Sequence, residues 1–407
     1  MFGLIGRKLS HSFSPQIHKE LGDYTYKLWE MEEEDVAGFL KKREFDGTNV
    51  TIPYKKTVIP FLDEISPIAQ RIGAVNTIVK RADGTLYGDN TDYFGFSHML
   101  SLGPCPVDGK KCIVLGSGGA SLTVINVLKD LGAGSIVVIS RTGENNYTNL
   151  HLHYDADIIV NTTPVGMYPN CGESPIELSN FTSCKCVYDL IYNPAKTALL
   201  LQAEALGIPY VNGLSMLVAQ GKRAAELFLS TQMDDSLIES ITKKLSLAML
   251  NVVLIGMPGC GKTTVGRLIA EKLDRRFEDT DITVELNNNR RIPDIINTFG
   301  EDCFRDLEQE AVADICKQSG LVIATGGGAI LRQENRNAIR QNAVVVFINR
   351  DMSDLETQGR PLSSTPEKLK KLYDYRLPIY RQCCDVEVTT QPTPQQTAEL
   401  ILKEIGL

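Results

Sequence analysis

The sequence predicts an α/β protein with parallel sheets, organised as more than one body. Short β-branched runs alternate with helical stretches over the whole length, the pattern of βαβ units. Two glycine-rich turns each follow an apolar run directly: Cys112-Ile113-Val114-Leu115 leads into Gly116-Ser117-Gly118-Gly119-Ala120-Ser121, and Val252-Val253-Leu254-Ile255 leads into Gly256 to Thr263. Length supplies the third observation, because 407 residues exceed what one compact core encloses and call for two or three domains. Each glycine turn opens a nucleotide-binding type of unit, so two such units with different ligands are expected.

Composition narrows the class. Hydrophobic residues make up 43% and charged residues 23%, ordinary values for a soluble globular protein. The net charge of -8 argues against a nucleic-acid partner, which would favour a basic face, but a local Arg/Lys cluster can still hold an anionic small molecule. No apolar run approaches the roughly 20 residues that cross a bilayer, and Met1 to Gly6 leads into a strand without a signal peptide's apolar region. A cytoplasmic location with no membrane partner is therefore expected, and the ten cysteines are expected as free thiols. Cys184/Cys186 and Cys383/Cys384 lack the spacing of a zinc site and any nearby His, and read as small buried hydrophobes. No feature assigns an oligomeric state.

Along the first half, Thr48-Asn49-Val50-Thr51-Ile52-Pro53-Tyr54-Lys55 places a lysine just past a strand, and Asp89-Asn90-Thr91-Asp92 forms a polar cluster beside another. A Lys–Asp pair suits proton donation to a developing alkoxide; read alone, Lys55 beside Lys56 is a solvated surface pair. The Gly116-x-Gly118-Gly119-Ala120 turn has the strand-before, helix-after context of a dinucleotide site. The next strand, Ile136 to Ser140, ends at Arg141-Thr142. An arginine at that strand end suits a 2′-phosphate, which favours NADP over NAD. Only about 16 residues separate Arg141 from the Asp157-Ile158-Ile159-Val160 strand, too few for a full helix–strand–helix, so one element of the dinucleotide fold is shortened or missing. Met233 to Met249 reads as an amphipathic helix with Leu237, Ile238, Ile241, Leu245 and Leu247 on or near one face. The domain boundary is placed near Ala248.

The second half carries phosphoryl-transfer chemistry. Gly256-Met257-Pro258-Gly259-Cys260-Gly261-Lys262-Thr263 matches the Walker A pattern in full. Its backbone N–H groups turn toward phosphate oxygens, Lys262 reaches the β/γ-phosphates, and the Thr263 hydroxyl sits on Mg²⁺. Asp279-Thr280-Asp281 follows, read as two carboxylates pointing the same way from a strand end, one near Mg²⁺ and one on an acceptor hydroxyl. Phe304-Arg305-Asp306-Leu307-Glu308 lies on a helix, where Arg305 and Glu308 alone would read as a surface pair. Then come Ala324-Thr325-Gly326-Gly327-Gly328 at a strand end, Arg360-Pro361-Leu362, and Arg376-Leu377-Pro378-Ile379-Tyr380.

From about Asn251 onward this set resembles shikimate kinase, whose P-loop, DTD, FR-x-x-E, GGG, RPL and R-x-P-x-Y motifs all occur here in order. The resemblance implies that Asp281, Arg305, Gly327, Gly328 and Arg376 hold shikimate, with Asp281 on the hydroxyl that receives phosphate. It implies Thr263 and Asp279 at Mg²⁺, and ATP on Gly256, Gly259, Cys260, Gly261, Lys262, Thr263 and Thr264. Arg360 closes over the transferring phosphoryl group; Lys262, Asp281 and Arg360 are the catalytic set. Two guanidinium groups suit the shikimate carboxylate. The stretch before Arg360 is short and lacks the second arginine that the family often places over the adenine.

Residues 1 to about 245 resemble the shikimate dehydrogenase family. The resemblance rests on Gly3-Leu4-Ile5-Gly6, His11-Ser12-Phe13-Ser14-Pro15, Asn49 to Lys55, Gly73-Ala74-Val75-Asn76-Thr77, Gly88 to Asp92, Asn161 to Met167, Asp189 to Pro194 and Asn212 to Gly221. It implies that Ser12, Ser14, Thr51, Asn76, Asp92, Tyr192 and Gln220 bind shikimate or 3-dehydroshikimate and that Lys55 and Asp92 are the catalytic pair. It also implies that Gly116, Gly118, Gly119, Ala120, Arg141 and Thr142 hold NADP(H), with Met216 near the nicotinamide. Two residues depart from the family: Tyr93 stands where Gly usually follows NTD, and Ser140 replaces the usual Asn. The expected organisation is a substrate domain over 1–95 plus 215–246, a shortened Rossmann-like NADP domain over 96–214, and a P-loop kinase domain over 249–407. The expected activity is NADPH-dependent reduction of 3-dehydroshikimate followed by ATP-dependent phosphorylation of shikimate. Two alternatives stay open: a first half that uses quinate or NAD, and a first half that is a degenerate regulatory module for the kinase.

Overall fold

The computed structural model describes residues 1–9, 12–355 and 366–407. By its internal contacts the chain forms two compact units, one comprising Met1–Val165, Pro175–Tyr192 and Gln202–Leu245, the other Gly166–Ser174, Asn193–Leu201 and Ser246–Leu407.

The first unit opens with β1 (Phe2–Gly6), α1 (Ser14–Leu21), β2 (Tyr26–Glu30), α2 (Glu33–Lys42), β3 (Gly47–Val50), β4 (Glu64–Ile65), α3 (Pro67–Ile72), β5 (Thr77–Lys80), β6 (Leu86–Asp89) and α4 (Asp92–Ser101). Its six strands lie in the order β2-β1-β3-β5-β6-β4. The sheet is mixed: β1 runs parallel to β2 and β3, while β5 is antiparallel to both neighbours. The antiparallel pairing follows from the short β5–β6 connection, where Gly84 takes φ +85° and its N–H bonds the Arg81 carbonyl at 2.9 Å. Helix α3 shows how local chemistry sets both ends. The Ser66 hydroxyl accepts the Ala69 N–H at 3.0 Å, Pro67 starts the first turn, and Gly73 stops the helix at φ +71°. Ile5, Leu40, Val58 and Ile78 lie in one buried cluster under this sheet.

The chain continues through β7 (Lys111–Leu115), α5 (Gly119–Asp130), β8 (Ser135–Ile139), β9 (Ile158–Asn161), β10 (Cys186–Asp189), α6 (Ala198–Ala205), β11 (Tyr210–Asn212), α7 (Leu214–Leu229) and α8 (Ser236–Met249), all in the first unit except the start of α6 and the last turn of α8. The parallel order β11-β10-β9-β7-β8 ends at β8, because only one 3₁₀ turn, Leu150–His153, fills the interval before β9. That is the element the short spacing left no room for. Helix α4 lies close against α7: a Cβ added at Gly95 would stand 2.7 Å from the Met216 carbonyl oxygen. This approach brings Asp92, at the start of α4, to the helix that carries Gln220. The amphipathic stretch expected from Met233 begins as helix at Ser236 and buries Ile238, Ile241, Leu245 and Met249, whereas Leu237 and Leu247 stay half-exposed.

The second unit holds β12 (Asn251–Ile255), α9 (Lys262–Leu273), β13 (Phe277–Asp279), α10 (Thr280–Asn288), α11 (Ile292–Phe299), α12 (Glu301–Cys316), β14 (Val322–Ala324), α13 (Gln333–Gln341), β15 (Ala343–Asn349), α14 (Pro366–Cys383), β16 (Val386–Thr389) and α15 (Pro394–Glu404). The sheet is parallel throughout, ordered β13-β14-β12-β15-β16. Strand β12 is central and wholly buried, as its unbroken apolar run requires. The ligand-facing loops therefore gather at the carboxyl ends of the strands, around the turn after β12. The ten cysteines are free thiols, and no helix among the described residues is long and apolar enough to cross a membrane.

His18 on α1 is the least expected buried group. Its ring stacks on Tyr26 with centroids 3.9 Å apart, its Nδ1 lies 2.6 Å from the Tyr24 hydroxyl, and burial pushes its pKa down to about 3, with Asn49 opposing. In the unfolded chain His18 binds a proton near pH 6.5, but in the folded chain it does not. Its contribution is therefore fully present above that pH and falls as pH drops from 6.5 toward 3. Unfolding of this unit, followed through the single tryptophan, Trp29, should lose up to ~1.4 kcal/mol of stability per pH unit in that window. His18→Phe should flatten that dependence whatever its stability at pH 7; an unchanged slope would assign the acid sensitivity to other groups.

Candidate active sites

The first centre lies where the turn after β3 meets the start of α4. Lys55 Nζ donates to Asp92 Oδ2 at 2.6 Å, with the side chains 23% and 13% exposed. The pair is shielded from bulk solvent yet still open to a ligand, unlike the solvated lysine that the Lys55-Lys56 sequence suggests in isolation. Asp92 stands in the first turn of α4, where the helix dipole favours its negative charge. The Ile52–Pro53 peptide is cis and shapes the turn that carries Thr51 and Lys55. Gly6 is needed opposite Thr51, since a Cβ there would come within 2.6 Å of the threonine methyl.

The other expected substrate ligands sit around this region of the unit. Ser12 and Ser14 hydroxyls are 3.1 Å apart at the head of α1. Asn76 is buried, its Oδ1 accepting the Thr91 N–H at 2.7 Å. The Tyr192 ring packs edge-on against Phe13 at 5.9 Å, and burial raises its pKa. Gln220, half-buried on α7, donates to the Leu217 carbonyl at 2.7 Å.

The turn after β7 fits a dinucleotide. Gly116 takes φ +103°, and a Cβ there would meet the Thr162 hydroxyl at 2.8 Å. A Cβ at Gly118 or Gly119 would meet nothing within 4 Å, so space is open over the N-terminus of α5, whose first-turn N–H groups at Gly119 and Ala120 suit a pyrophosphate. Arg141 and Thr142 are exposed beyond β8, and Met216 is buried on α7. Tyr93 does more than occupy a glycine's place. Its hydroxyl donates to Asp130 Oδ2 at 2.6 Å, and Arg71 Nη1 donates to Asp130 Oδ1 at 3.1 Å, tying α3, α4 and the end of α5 together. Its departure from the family pattern was the signal for this joint; Arg71 and Asp130 carried none.

The second centre surrounds the turn after β12. Lys262, buried, donates from Nζ to the carbonyls of Gly256 at 2.9 Å and Met257 at 3.0 Å. Gly259 and Gly261 hold φ of +84° and +98°, conformations that turn the intervening N–H groups inward. Lys262, Thr263 and Thr264 form the first turn of α9, and Cys260 is buried beneath it. A cavity of about 870 Å³ runs from this turn past Asp281, Arg305 and Arg376, room for a nucleotide and a small acceptor.

One sequence expectation is corrected here. Asp279 and Asp281 do not project together from a strand end, because β13 stops at Asp279 and α10 begins at Thr280. Asp279 Oδ1 caps the new helix, accepting the Asp281 N–H at 3.1 Å, while its Oδ2 accepts the Thr263 hydroxyl at 2.7 Å. A hydroxyl and a carboxylate so joined suit Mg²⁺, which binds through one or two protein oxygens and completes its shell with phosphate and water. Asp281 sits in the first turn of α10, and its pKa is pushed up to about 7, by burial first and then by Glu308 and Asp279.

The acceptor end is unusually dense in charge. Arg305 Nη1 donates to Glu308 Oε2 at 2.7 Å and Nη2 to Glu301 Oε1 at 2.8 Å; Arg305 and Glu308 are buried, so the surface-pair reading fails. Asp281 Oδ1, Glu308 Oε1 and Arg376 Nε are buried without a partner among the described residues. The glycines are required by this crowding. A Cβ at Gly326 would lie 2.5 Å from both Asp281 Oδ1 and Glu308 Oε1, one at Gly327 2.6 Å from Pro258, and one at Gly328 2.3 Å from Arg305 Nη1. The Tyr380 hydroxyl donates to the Gly327 carbonyl at 2.5 Å. Glu308 and Gly326 are the residues sequence reasoning undervalued; the i, i+3 spacing from Arg305 and the third glycine were the available signals. Arg360 lies outside the described residues.

These two centres define a protein that joins a Rossmann-type oxidoreductase unit to a P-loop phosphoryl-transfer domain. Residues 258–406 match the family model for shikimate kinase, and residues 4–78 that for the shikimate dehydrogenase substrate binding domain. A shikimate dehydrogenase (NADP(+)) of Clostridium perfringens is 38% identical over 266 residues, 60% of this chain and 98% of that protein. Among solved structures, shikimate dehydrogenase 1 from Peptoclostridium difficile aligns at TM-score 0.56 and 42% identity, covering 60% of this chain and 97% of its own. A chorismate mutase/shikimate 5-dehydrogenase fusion protein from Clostridium acetobutylicum aligns at TM-score 0.58 and 38% identity, covering 60% and 96%. The chain belongs to the shikimate dehydrogenase family and carries a shikimate kinase domain at its C-terminal end.

The contact between Gly328 and Arg305 can be tested alone. Gly328→Ala should push the guanidinium aside and raise the KM for shikimate in the ATP-linked reaction at least ~10-fold, the effect of losing a charge-assisted hydrogen bond. The NADPH-linked rate should stay within twofold. An unchanged shikimate KM would remove Arg305 from the binding set.

Proposed function

We propose that this chain catalyses two consecutive steps of aromatic (chorismate) biosynthesis: NADPH-dependent reduction of 3-dehydroshikimate to shikimate, then transfer of the γ-phosphoryl group of ATP to shikimate, giving shikimate 3-phosphate. The Lys55–Asp92 contact at 2.6 Å carries the first activity, because it sets an ammonium where a carbonyl oxygen gaining charge can be protonated. The cavity shared by the Lys262 turn and the Asp281–Arg305–Arg376 cluster carries the second.

In the reduction, the Gly116–Ala120 turn would hold NADPH, which would supply the hydride. Lys55 delivers a proton to the oxygen as the C3 carbonyl becomes an alcohol, and Asp92 orients Lys55 and accepts a hydrogen bond from a neighbouring ring hydroxyl. Ser12, Ser14, Thr51, Asn76, Tyr192 and Gln220 fix the ring and its carboxylate. Arg141 and Thr142 select the 2′-phosphate of NADP.

In the phosphorylation, the N–H groups of the P-loop and Lys262 hold the phosphates. Lys262 must exchange its bonds to the Gly256 and Met257 carbonyls for phosphate oxygens. Arg305 and Arg376 hold the shikimate carboxylate, which suits a site with buried guanidinium N–H groups to satisfy. Asp281 takes the 3-hydroxyl proton, and Thr263 and Asp279 would hold Mg²⁺, which would offset the phosphate charge. Arg360 completes the charge around the transferring group. The reaction sequence and the free thiols fit a cytoplasmic enzyme.

A coupled assay tests the whole reading: 3-dehydroshikimate, NADPH and ATP-Mg²⁺ should yield shikimate 3-phosphate from the single purified chain. Lys55→Ala should lower the NADPH-linked rate by about 10²- to 10⁴-fold and leave phosphorylation of added shikimate intact. Lys262→Ala should do the reverse, with a loss on the order of 10²-fold or more. A folded wild-type chain that phosphorylates shikimate yet turns over no NADPH would identify the first unit as a regulatory module, the reading that the shortened β8–β9 interval motivates.

A further inference from the structure

A line of buried polar side chains runs behind the candidate substrate pocket of the first unit. The Tyr26 hydroxyl donates to Asn49 Oδ1 at 2.7 Å. Asn49 Nδ2 donates to Thr77 Oγ1 at 3.0 Å and reaches the Asn76 carbonyl at 3.4 Å. The Thr77 hydroxyl in turn donates to Asn76 Oδ1 at 3.1 Å. Asn49, Asn76 and Thr77 are buried, so each hydrogen bond is shielded from water.

Main-chain groups remove the ambiguity in both amides. A carbonyl only accepts, so the Asn76 carbonyl fixes Nδ2 as the inner end of Asn49. A backbone N–H only donates, so the Thr91 N–H, 2.7 Å away, fixes Oδ1 as the inner end of Asn76. Thr77 stands between them, accepting from Asn49 and donating to Asn76, with the Thr91 hydroxyl 3.1 Å from Thr77 Oγ1 and 3.2 Å from Asn76 Oδ1 sharing the junction. Asn76 Oδ1 is then saturated by Thr77 and Thr91, while Nδ2 gives one N–H to Thr91 Oγ1 at 3.1 Å and keeps the other. Asn76 therefore presents a single kind of contact to a ligand, a donor.

We propose that Tyr26, Asn49 and Thr77 are positioning residues that hold the Asn76 amide with its N–H toward the substrate, so that the pocket selects a ring oxygen acting as acceptor. The proposal rests on the assignment of Asn76 as a substrate ligand. The line acts on binding and makes no contact with the reacting carbonyl, so its loss appears in KM.

The test uses the full chain, with shikimate phosphorylation as an internal measure of folded protein. Thr77→Val, which keeps the shape and deletes the hydroxyl, should raise the KM for shikimate in the NADP-linked reaction about five- to tenfold, the size of one net hydrogen bond. Its kcat should stay within about twofold. Tyr26→Phe should do the same more weakly, and Thr77→Ser should restore the KM. Asn76→Ala is measured alongside. A raised KM in Asn76→Ala with unchanged values in Thr77→Val and Tyr26→Phe overturns the positioning role and leaves the ligand assignment standing. An unchanged KM in Asn76→Ala overturns both. A fall in kcat at constant KM in Thr77→Val, or no rescue by Thr77→Ser, also refutes it.

Discussion

Both nucleotide-binding turns depend on one backbone constraint: a buried parallel strand must turn sharply into a helix while leaving room for phosphate at the turn. Only glycine satisfies it at the first position. Gly116 follows β7 at φ +103°, close to the Thr162 hydroxyl, and Gly256 follows β12 at φ +150°, where a Cβ would lie 2.6 Å from the Ile348 carbonyl. In each case the obstruction comes from the loop or end of the adjacent strand, β9 or β15. The turn is thus set by the parallel sheet as much as by its own residues, and everything that reads a ligand is placed relative to it. The shared constraint does not produce shared chemistry. After β7 the helix opens onto clear space suited to a pyrophosphate, whereas after β12 a lysine and two threonines form the first turn and one of them, Thr263, bonds a carboxylate from β13.

The two centres handle charge differently. At the first, a single ion pair stands partly exposed, and the polar groups behind it are neutral and hydrogen-bonded in a line. At the second, Glu308 and Arg305 are buried and Asp281 is half-buried beside them, with one orphaned buried oxygen on each carboxylate among the described residues. Such an arrangement is costly in an empty pocket, because an uncompensated buried charge or polar group destabilises by about 1–3 kcal/mol or more. The cost is recovered when an acceptor bearing hydroxyls and a carboxylate supplies the missing partners. That is why the glycines after β14 matter: they let Asp281, Glu308 and Arg305 close to within contact of the main chain, leaving polar atoms aimed inward with no side chain between them and a ligand.

Much of this was legible from residue order. The Walker A run between an apolar strand and an amphipathic helix, the triple glycine at a strand end, and the Lys55 and Asp92 segments each name a chemistry, because few backbones or donor sets can perform it. The brief Arg141–Asp157 interval was legible too: it has room for a turn and no more, and the sheet accordingly ends at β8. Less was visible where meaning depends on which neighbour arrives from elsewhere. Asp279-Thr280-Asp281 has the spacing of two strand residues facing one way, but the strand stops at Asp279 and the first carboxylate becomes a helix cap. Arg305 and Glu308 have the spacing of any helix-surface pair, and only the packing of α12 beneath the Gly326–Gly328 turn buries them.

By itself, then, the sequence determined that two nucleotide-binding folds follow one another and which polar residues stand ready at their strand ends. Covalent order and local periodicity suffice for that, since turns, caps and strand faces are short-range properties. The tertiary structure alone decided which of those residues meet. Lys55 and Asp92 are separated by three strands and a helix yet bond at 2.6 Å, and Tyr93 finds Asp130 at the far end of α5. His18, ordinary on a helix, is pressed neutral between tyrosines. Burial and pairing are long-range properties of the packed sheets, and they turn a set of plausible side chains into two sites with distinct electrostatics.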